Sequence, residues 1–382
     1  MNNNCTESEL VQKIVEEILN SEIIQMPSNV ATKQLVGINF RIEAVTKLLD
    51  IKSNDVRMVR ITGLGGIGKT TIAKAIYNSF SNRFKAKSFL ENVREESKID
   101  QGIIHLQETL LKGISEDKNL RVNTIYEGTT RINKILRLKK FLIILDDVDN
   151  VDQIETLLGQ CEDFAFGSRI ILTTRYKSLL DNYGLSTYDY GVKELDKDEA
   201  IKLFRKHAFP SNEVPEDYLE LEKKNISYAK GLPLALKVMG CDLCKKTIRF
   251  WNDALDYYKK NLHEDIQKIL RRSYEGLTEN ERNIFLDIAC FFKGYDMSYN
   301  MIKDVLKTCG LNPKYGIQKL IDKCLLTIDQ DNYYLSMHDL LQQMGMDIVR
   351  QEAPQNPGER SRLWCYEEAL DVLTEDTVCM LF

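Results

Sequence analysis

The chain has 382 residues, enough for two or three domains, and it carries 52 Lys and Arg against 57 Asp and Glu, a formal net charge of −5. With 43% hydrophobic residues, this balance is typical of a soluble globular protein and argues against a general nucleic-acid binder, whose binding domain normally carries a basic surplus. The sequence shows no apolar run of membrane-spanning length, no signal-peptide pattern and no framework among its nine cysteines, so we expect an intracellular protein with free thiols.

The first predicted elements are a helix and a linker. Residues 6–20 carry apolar side chains on one helical face, and Thr6 with Glu9 forms a capping-box pattern. The polar stretch around Pro27 is typical of a linker. We therefore assign residues 1–34 to a linker helix and a linker.

Short apolar runs alternate with helical segments between residues 35 and 194. This alternation predicts βα units on a mostly parallel sheet. The predicted strands are Arg57–Thr62, Lys87–Asn92, Lys140–Asp146, Ser168–Thr173 and Tyr188–Val192.

The pattern becomes helical after about residue 195. Asp196 with Glu199 and Thr278 with Glu281 form capping boxes, each at the start of a predicted helix. Two short apolar runs near residues 325–336 flank turn residues and predict a hairpin, the outline of a winged helix. The predicted fold class is thus α/β, with a parallel sheet at 35–194, an all-α helical domain at 195–275, a winged-helix domain at 276–352 and a C-terminal tail at 353–382.

The segment Gly63–Thr70 matches the pattern G-x-x-x-x-G-K-[ST] and lies between a predicted strand and a predicted helix. Glycines let backbone N–H groups turn inward around phosphate oxygens, and the following helix presents its positive end. Lys69 is suited to the β- and γ-phosphates, and the Thr70 hydroxyl is suited to ligate Mg²⁺. The alternative is a glycine-rich turn that binds no ligand.

Two acids follow the most apolar predicted strand. The run Phe141–Leu145 is typical of a strand that is buried on both faces, and Asp146 and Asp147 come directly after it. Asp146 is the candidate Mg²⁺ ligand, and Asp147 is the candidate catalytic residue that orients or deprotonates a water. For Asp147 a helix N-cap or a loop ion pair is the alternative, because adjacent acids after a strand are common loop residues.

Arg175 follows the next predicted strand. An arginine at this point would deliver a fixed positive charge to the same crevice, and its guanidinium fork suits phosphate. The alternative is a surface arginine that pairs with a carboxylate.

With these elements in order, the chain resembles the NB-ARC nucleotide-binding module of plant disease-resistance proteins, within the STAND class of P-loop switches. The resemblance covers about residues 35–370. Phe89–Glu95, with Asp149, looks like the subgroup that normally carries an N-terminal TIR domain. The other matching motifs beyond the phosphate loop are Leu35–Ile38, Gly231–Leu236, Phe285–Phe292 and Met337–Leu340.

The resemblance implies an ADP/ATP-binding switch with Mg²⁺, closed with ADP and open for signalling with ATP. It implies that the backbone around Val36 contacts the adenine, that Pro233 packs against it and that His338 reaches the β-phosphate of ADP. A packed histidine without a ligand is the alternative for His338. The nucleotide-binding residues that we expect are Val36, Gly37, Gly63, Gly65, Gly66, Gly68, Lys69, Thr70, Thr71, Arg175, Pro233 and His338.

The resemblance also implies that the TIR domain and the leucine-rich repeats of the subgroup are missing, so we expect no NAD-cleaving activity. The alternatives to a switch are a slow Mg²⁺-dependent ATPase and a truncated adaptor or decoy that pairs with full-length receptors. The implied partners are nucleotide and other immune-receptor chains or signalling proteins, with nucleotide-dependent self-association. The implied location is cytoplasmic or nucleo-cytoplasmic.

Two further signals have plainer interpretations. Cys241 and Cys244 have zinc or redox spacing, but no second pair stands at ligand distance, so we expect ordinary thiols. The last helix of the predicted winged helix, DLLQQMGMDIVRQE, has one Arg against three acids. We therefore expect no DNA binding.

Overall fold

The computed structural model describes residues 35–116, 120–159, 164–179, 186–209, 214–292, 298–328 and 334–374. The helix that we predict at residues 6–20 and the linker after it lie outside the described residues, as do the last eight residues of the predicted tail.

Five parallel strands form one sheet in the order β2-β3-β4-β1-β5. Each begins and ends within two residues of its predicted bounds, so the parallel sheet is confirmed. Because β3, β4 and β1 are neighbours, the residues that follow their carboxyl ends meet at one edge of the sheet. The strands are β1 (Arg57–Thr62), β2 (Ala86–Leu90), β3 (Phe141–Val148), β4 (Arg169–Thr174) and β5 (Thr187–Gly191).

Helices cover both faces of the sheet, and the alternation of side chains along each strand divides the core in two. Val59 and Ile171 belong to an apolar cluster that includes α1 and α2, whereas Met58 and Ile170 belong to a second cluster with α4, α5 and α6. These helices are α1 (Ile38–Leu49), α2 (Lys69–Phe80), α3 (Val93–Glu96), α4 (Gly102–Ile114), α5 (Ile125–Leu136) and α6 (Val151–Leu158).

A helical region follows the sheet, and the first apolar cluster continues into it without a break. Trp251 is its largest fully buried side chain, packs against Phe204 and Phe209, and donates its indole N–H to the Leu243 carbonyl at 2.9 Å. The helices are α7 (Lys197–Ala208), α8 (Leu219–Ala229), α9 (Pro233–Leu243), α10 (Ile248–Lys260) and α11 (Glu264–Glu275). The predicted capping box at the start of α7 is present.

The last region has the predicted winged-helix elements, and its hairpin pairs β6 with β7 in antiparallel register. One departure from expectation is a π-helix at Ile288–Phe292, where Gln342 Nε2 donates to the freed Ala289 carbonyl at 3.1 Å. Among the described residues, no helix combines the length and the apolar character that crossing a bilayer requires. The elements are α12 (Glu279–Asp287), α13 (Tyr299–Thr308), α14 (Pro313–Asp322), β6 (Thr327–Ile328), β7 (Leu335–Ser336), α15 (Asp339–Glu352) and α16 (Tyr366–Thr374).

Candidate functional site

The loop after β1 turns sharply because three of its glycines adopt backbone angles that other residues rarely adopt. Gly63, Gly66 and Gly68 have φ values of 151°, 80° and 100°. Gly68 leads directly into α2, whose first residue is Lys69. No atom lies within 4 Å of the point where a Cβ on Gly68 would stand. The loop therefore ends at a helix N-terminus that faces open space and suits an anion.

The Lys69 side chain is only 7% exposed and folds back over this loop. Its Nζ donates to the Gly63 carbonyl at 2.8 Å and to the Leu64 carbonyl at 3.0 Å. Burial, followed by repulsion from Arg175, lowers the pKa of Lys69 to about 8. A bound anion would stabilise the charged form of this ammonium group.

Asp146 is 1% exposed and accepts two hydroxyl hydrogen bonds on its Oδ1. Thr70 donates at 2.8 Å and Thr173 donates at 2.6 Å. Burial raises the pKa of Asp146, and these two hydrogen bonds oppose that effect. The site thus joins the end of β3 to the start of α2.

Thr70 and Asp146 fit a magnesium ion by their chemistry. A hydroxyl and a carboxylate are oxygen donors, and Mg²⁺ typically completes such a pair with phosphate oxygens and waters. Among the described residues, no group of three or more His, Cys, Asp or Glu side chains comes together as a metal cage. The donor set therefore fits an ion that is shared with a phosphate ligand.

A β-bulge sends the two neighbouring acids to different partners. The register between β3 and β4 shifts between Leu145 and Val148, and Asp147 has a left-handed φ of 57°. The Asp147 carboxylate lies 2.9 Å from Arg94 Nη2 and 3.5 Å from Arg175 Nε. Asp147 therefore forms the loop ion pair of the alternative interpretation, and its action on a water remains a prediction.

Arg175 is a buried link between β4 and α11, with 7% of its surface exposed. Its Nη1 donates to the Ile269 carbonyl and to the Ser273 hydroxyl, both at 3.0 Å. Burial is the main cause that lowers the pKa of Arg175; the Asp147 carboxylate opposes it, while the charges of Arg94 and Arg272 add to it. Arg175 is therefore a buried residue that connects two elements, and the alternative of a surface arginine is wrong.

These groups line one cavity of about 530 Å³, which is a suitable size for a small organic ligand. Its apolar lining comes from Leu35, Val36, Ile38, Ile67, Ile72, Leu195, Leu203, Pro233, Leu234 and Ile269. Its cationic side chains are Arg41, Lys69, Arg175, Lys206, Lys237 and Arg272, against the two carboxylates of Asp146 and Asp147. The lining therefore carries a formal excess of 6 − 2 = +4, which suits a ligand with an apolar part and several negative charges.

Helix α9 packs directly on the phosphate loop. It begins at Pro233, and the Leu234 N–H donates to the Gly66 carbonyl at 3.2 Å. A Cβ on Gly66 would come within 2.7 Å of the Leu234 Cβ. The helical region thus forms one wall of the cavity.

Most of the predicted site residues line this cavity. They are Val36, Gly66, Gly68, Lys69, Thr70, Thr71, Asp146, Asp147, Arg175 and Pro233. Three predicted residues, Gly37, Gly63 and Gly65, do not line this cavity. The backbone carbonyls of Gly37 and Gly63 accept hydrogen bonds from side chains that do line it. The Gly37 carbonyl accepts from Arg41 Nη1 at 2.6 Å, and Gly65 lies directly under Arg175.

His338 lies on the other side of the phosphate loop. It caps α15, where its Nδ1 accepts from the Leu340 N–H at 3.1 Å. It lines a second cavity, of about 590 Å³, together with Gly63, Leu64 and Cys324. The structure thus brings His338 next to the loop without placing it in the first cavity, and its contact with ADP remains a prediction.

Three further residues of the site, Arg94, Thr173 and Arg272, are not among those predicted from the sequence. Thr173 holds both acids, because its hydroxyl donates to Asp146 and accepts from the Asp147 N–H at 2.8 Å. Its position at the end of an apolar strand is the sequence signal that indicates this role. Arg94 and Arg272 become visible only when β2 is placed beside β3 and when α11 is placed over the loop.

Two family models match the chain. Residues 39–214 match the NB-ARC domain, and residues 278–353 match the winged-helix domain described as "Disease resistance protein Roq1-like". Residues 39–214 of this chain are therefore an NB-ARC domain. The NB-ARC match runs from α1 through the sheet and past the end of α7, and the winged-helix match covers the region from α12 to α15.

Curated relatives of the chain include plant resistance proteins. It is 44% identical over 335 residues to "Disease resistance protein RUN1" of Vitis rotundifolia. That alignment covers 87% of this chain and 25% of that protein. It is 38% identical over 387 residues to "TMV resistance protein N" of Nicotiana glutinosa. That alignment covers 99% of this chain and 32% of that protein. The chain thus spans between a quarter and a third of the length of these relatives.

Solved structures are more distant. A signal transduction ATPase with numerous domains and a tetratricopeptide repeat sensor, from Pyrococcus horikoshii, matches with 19% identity and a TM-score of 0.29. The match covers 88% of this chain and 45% of that chain. This likeness is too low to bear on function.

Proposed function

We propose that this chain is the ADP/ATP-binding switch of a plant immune receptor, closed with ADP and open for signalling with ATP. The central support is the cavity, because a phosphate loop, a donor pair for Mg²⁺ and an excess of positive charge meet there. The resistance function in the names of the relatives supports the biological setting.

The charge of the lining supports a nucleoside diphosphate or triphosphate as the ligand. Lys69, Thr70 and Asp146 mark where the β- and γ-phosphates and the ion would lie. The apolar side chains of Val36 and Pro233 offer a surface for the base. Nucleotide and Mg²⁺ are therefore the ligands that we propose.

The cavity supports a switch because its walls come from different parts of the chain. The phosphate loop follows β1, Pro233 begins α9, and Ile269 and Arg272 lie on α11. A nucleotide that contacts all three walls would hold them in one arrangement. Because a ligand shifts such an equilibrium only by its differential affinity, ADP and ATP must be bound with different strength by the two states.

His338 is the proposed link from the winged helix to the diphosphate. Its place behind Gly63 supports this role, since the Gly63 carbonyl also accepts from Lys69. In the proposed closed state, the imidazole and Lys69 would act on the same phosphate loop from opposite sides.

A slow ATPase is a weaker candidate. In the present arrangement the Asp147 carboxylate is paired with Arg94 and Arg175, so it is not free to hold an attacking water. This favours a long-lived bound nucleotide over rapid turnover. We also propose, from the family alone, other receptor chains or signalling proteins as partners, nucleotide-dependent self-association, and a location in the cytoplasm or nucleus.

The test compares two lysines of α2. Lys69→Ala removes the ammonium group of the loop, whereas Lys74→Ala removes an exposed lysine that pairs with Glu91 at 2.9 Å. We expect the first to weaken ADP binding about 10- to 150-fold in calorimetry, since one charge-assisted hydrogen bond contributes about 1.5–3 kcal/mol. The second should leave it unchanged. Equal ADP affinity in both variants and in the wild type would defeat the proposal.

A further inference from the structure

Helix α11 lies over the phosphate loop although it belongs to the helical region. Ile269 Cγ2 is 3.3 Å from the point where a Cβ on Gly65 would stand. The Ile269 carbonyl and the Ser273 hydroxyl both hold Arg175. The face of α11 that carries these residues is therefore fixed against the phosphate end of the cavity.

Arg272 lies on α11 between these contacts, and its side chain lines the cavity. The residue is exposed, unlike Arg94 and Arg175, which are buried and pair with Asp147. Within the described parts of the chain, its guanidinium forms no ion pair and no side-chain hydrogen bond. Arg272 thus adds a positive charge with which no described carboxylate pairs.

The neighbours of Arg272 identify the end of the cavity that it faces. Its charge acts on Arg175, and Arg175 contacts Asp147, which follows the candidate Mg²⁺ ligand Asp146. This is the end beyond Lys69 and Thr70, where the last phosphate of a triphosphate would lie.

We infer that Arg272 binds the γ-phosphate of ATP, so that α11 senses the third phosphate. This inference rests on the proposed nucleotide binding and adds a residue to it. A guanidinium fork can make two parallel hydrogen bonds to a phosphate, which ADP does not offer at this point. Because α11 leads within a few residues into α12, a pull on Arg272 would act on the start of the winged-helix region.

The chain offers a matched control on the same helix. Arg271, the preceding residue, pairs with Glu275 at 3.4 Å and donates to Gln351 of α15 at 3.4 Å. It does not line the cavity. Arg271→Gln and Arg272→Gln therefore remove the same charge from adjacent points, one away from the cavity and one within it.

The experiment measures the affinities of ADP and of a non-hydrolysable ATP analogue, with Mg²⁺, for the wild type and both variants. We expect Arg272→Gln to weaken the triphosphate analogue about 10- to 100-fold and ADP less than about threefold, because one or two charge-assisted bonds are lost only with the third phosphate. Arg271→Gln should change neither affinity. Arg272→Lys should recover part of the loss, since it keeps the charge but not the fork.

The outcomes separate this inference from the proposed function. If the wild type binds both nucleotides and Arg272→Gln binds them equally well, or loses both equally, the contact with the third phosphate is wrong. If the wild type binds neither nucleotide, the proposed function itself fails. Thermal unfolding of each variant shows whether it is folded, which we expect because the Arg272 side chain is exposed.

Discussion

Four charged residues around the phosphate loop are buried, and each depends on a neighbour of opposite charge or on hydroxyl and carbonyl groups: Lys69, Arg94, Asp146 and Arg175. Arg94 is 4% exposed and Arg175 is 7% exposed, yet both approach the single carboxylate of Asp147. Removing one member of such a set leaves a buried charge without compensation, which is strongly destabilising. These residues therefore contribute to the stability of the fold, whatever they bind.

Asp147→Ala should lower the free energy of unfolding by about 3–5 kcal/mol, because two buried guanidinium groups lose their shared partner. The control is Glu95→Ala, which removes the other acid beside Arg94, at 3.3 Å but with 44% of its side chain exposed. That change should cost less than about 1 kcal/mol. Urea unfolding measures both, and similar values for the two variants would show that the Asp147 ion pairs carry little energy.

The affinity for ADP should fall as the pH rises through about 8. The pKa of Lys69 is lowered to about 8 by burial and by Arg175, and a bound phosphate would raise it again. Binding then takes up a proton above the pKa of the free protein, so affinity is fully present below pH 8 and falls by up to about tenfold per pH unit above it.

Calorimetry between about pH 7 and about pH 9 gives this profile, with Lys69→Arg as the control. Arginine stays protonated over this range, so the profile of that variant should be flat. A flat profile for the wild type would contradict the assignment of the loop lysine as a titrating ligand.

At the scale of elements, the phosphate site is the product of strand order. β3, β4 and β1 lie side by side, so Asp146, Arg175 and the phosphate loop meet although they are far apart in the chain. The helices then close the site: α9 bonds to Gly66 and α11 holds Arg175. Because both contacts are close, a larger residue in the loop would press against the helix that covers it.

Gly66→Ala should lower both stability and ADP affinity. Its φ of 80° disfavours any residue with a Cβ, and that Cβ would meet the Leu234 side chain at 2.7 Å. We expect a loss of about 2–3 kcal/mol in the free energy of unfolding. Gly191→Ala is the control, because its nearest neighbour would be the Thr62 hydroxyl at 4.0 Å. If the two variants unfold alike, α9 does not restrain the loop.

Much of this arrangement can be predicted from the sequence because its signals are local. Apolar runs predict the five strands, and the spacing from Gly63 to Thr70 predicts the phosphate loop. The ion pairs of Asp147 could not be predicted, because the bulge after Leu145 determines the direction in which its carboxylate points. The position of Arg272 in the cavity lining depends on how α11 packs on the sheet domain. Such a long-range contact leaves no periodic signal in the sequence.

At the scale of the molecule, the apolar cluster on one face of the sheet runs through the helical region into the winged helix. Polar contacts reinforce the last junction. Tyr228 donates to Gln343 at 2.7 Å, and Asp347 accepts from the Leu262 N–H at 3.0 Å. The winged helix is thus packed against the rest of the chain, with His338 behind the phosphate loop.

His338→Asn should separate the proposed nucleotide contact from the structural role of the residue. Asparagine is a good N-cap, so α15 keeps its cap, but the imidazole is lost. We expect ADP affinity to fall about 10-fold or more and ATP affinity to fall less. His338→Ala should add a loss of about 1 kcal/mol in stability. If the asparagine variant binds ADP like the wild type, His338 only caps the helix.

The identity of the nucleotide that stays bound through purification tests the proposed switch most directly. The cavity joins the sheet domain to α9 and α11, so a closed chain should release its ligand slowly. We expect stoichiometric ADP in the wild type, released on denaturation and identified by chromatography, and none in Lys69→Ala. A folded wild-type chain that retains no nucleotide and binds no added ADP would contradict the assignment of this cavity as the centre of a nucleotide switch.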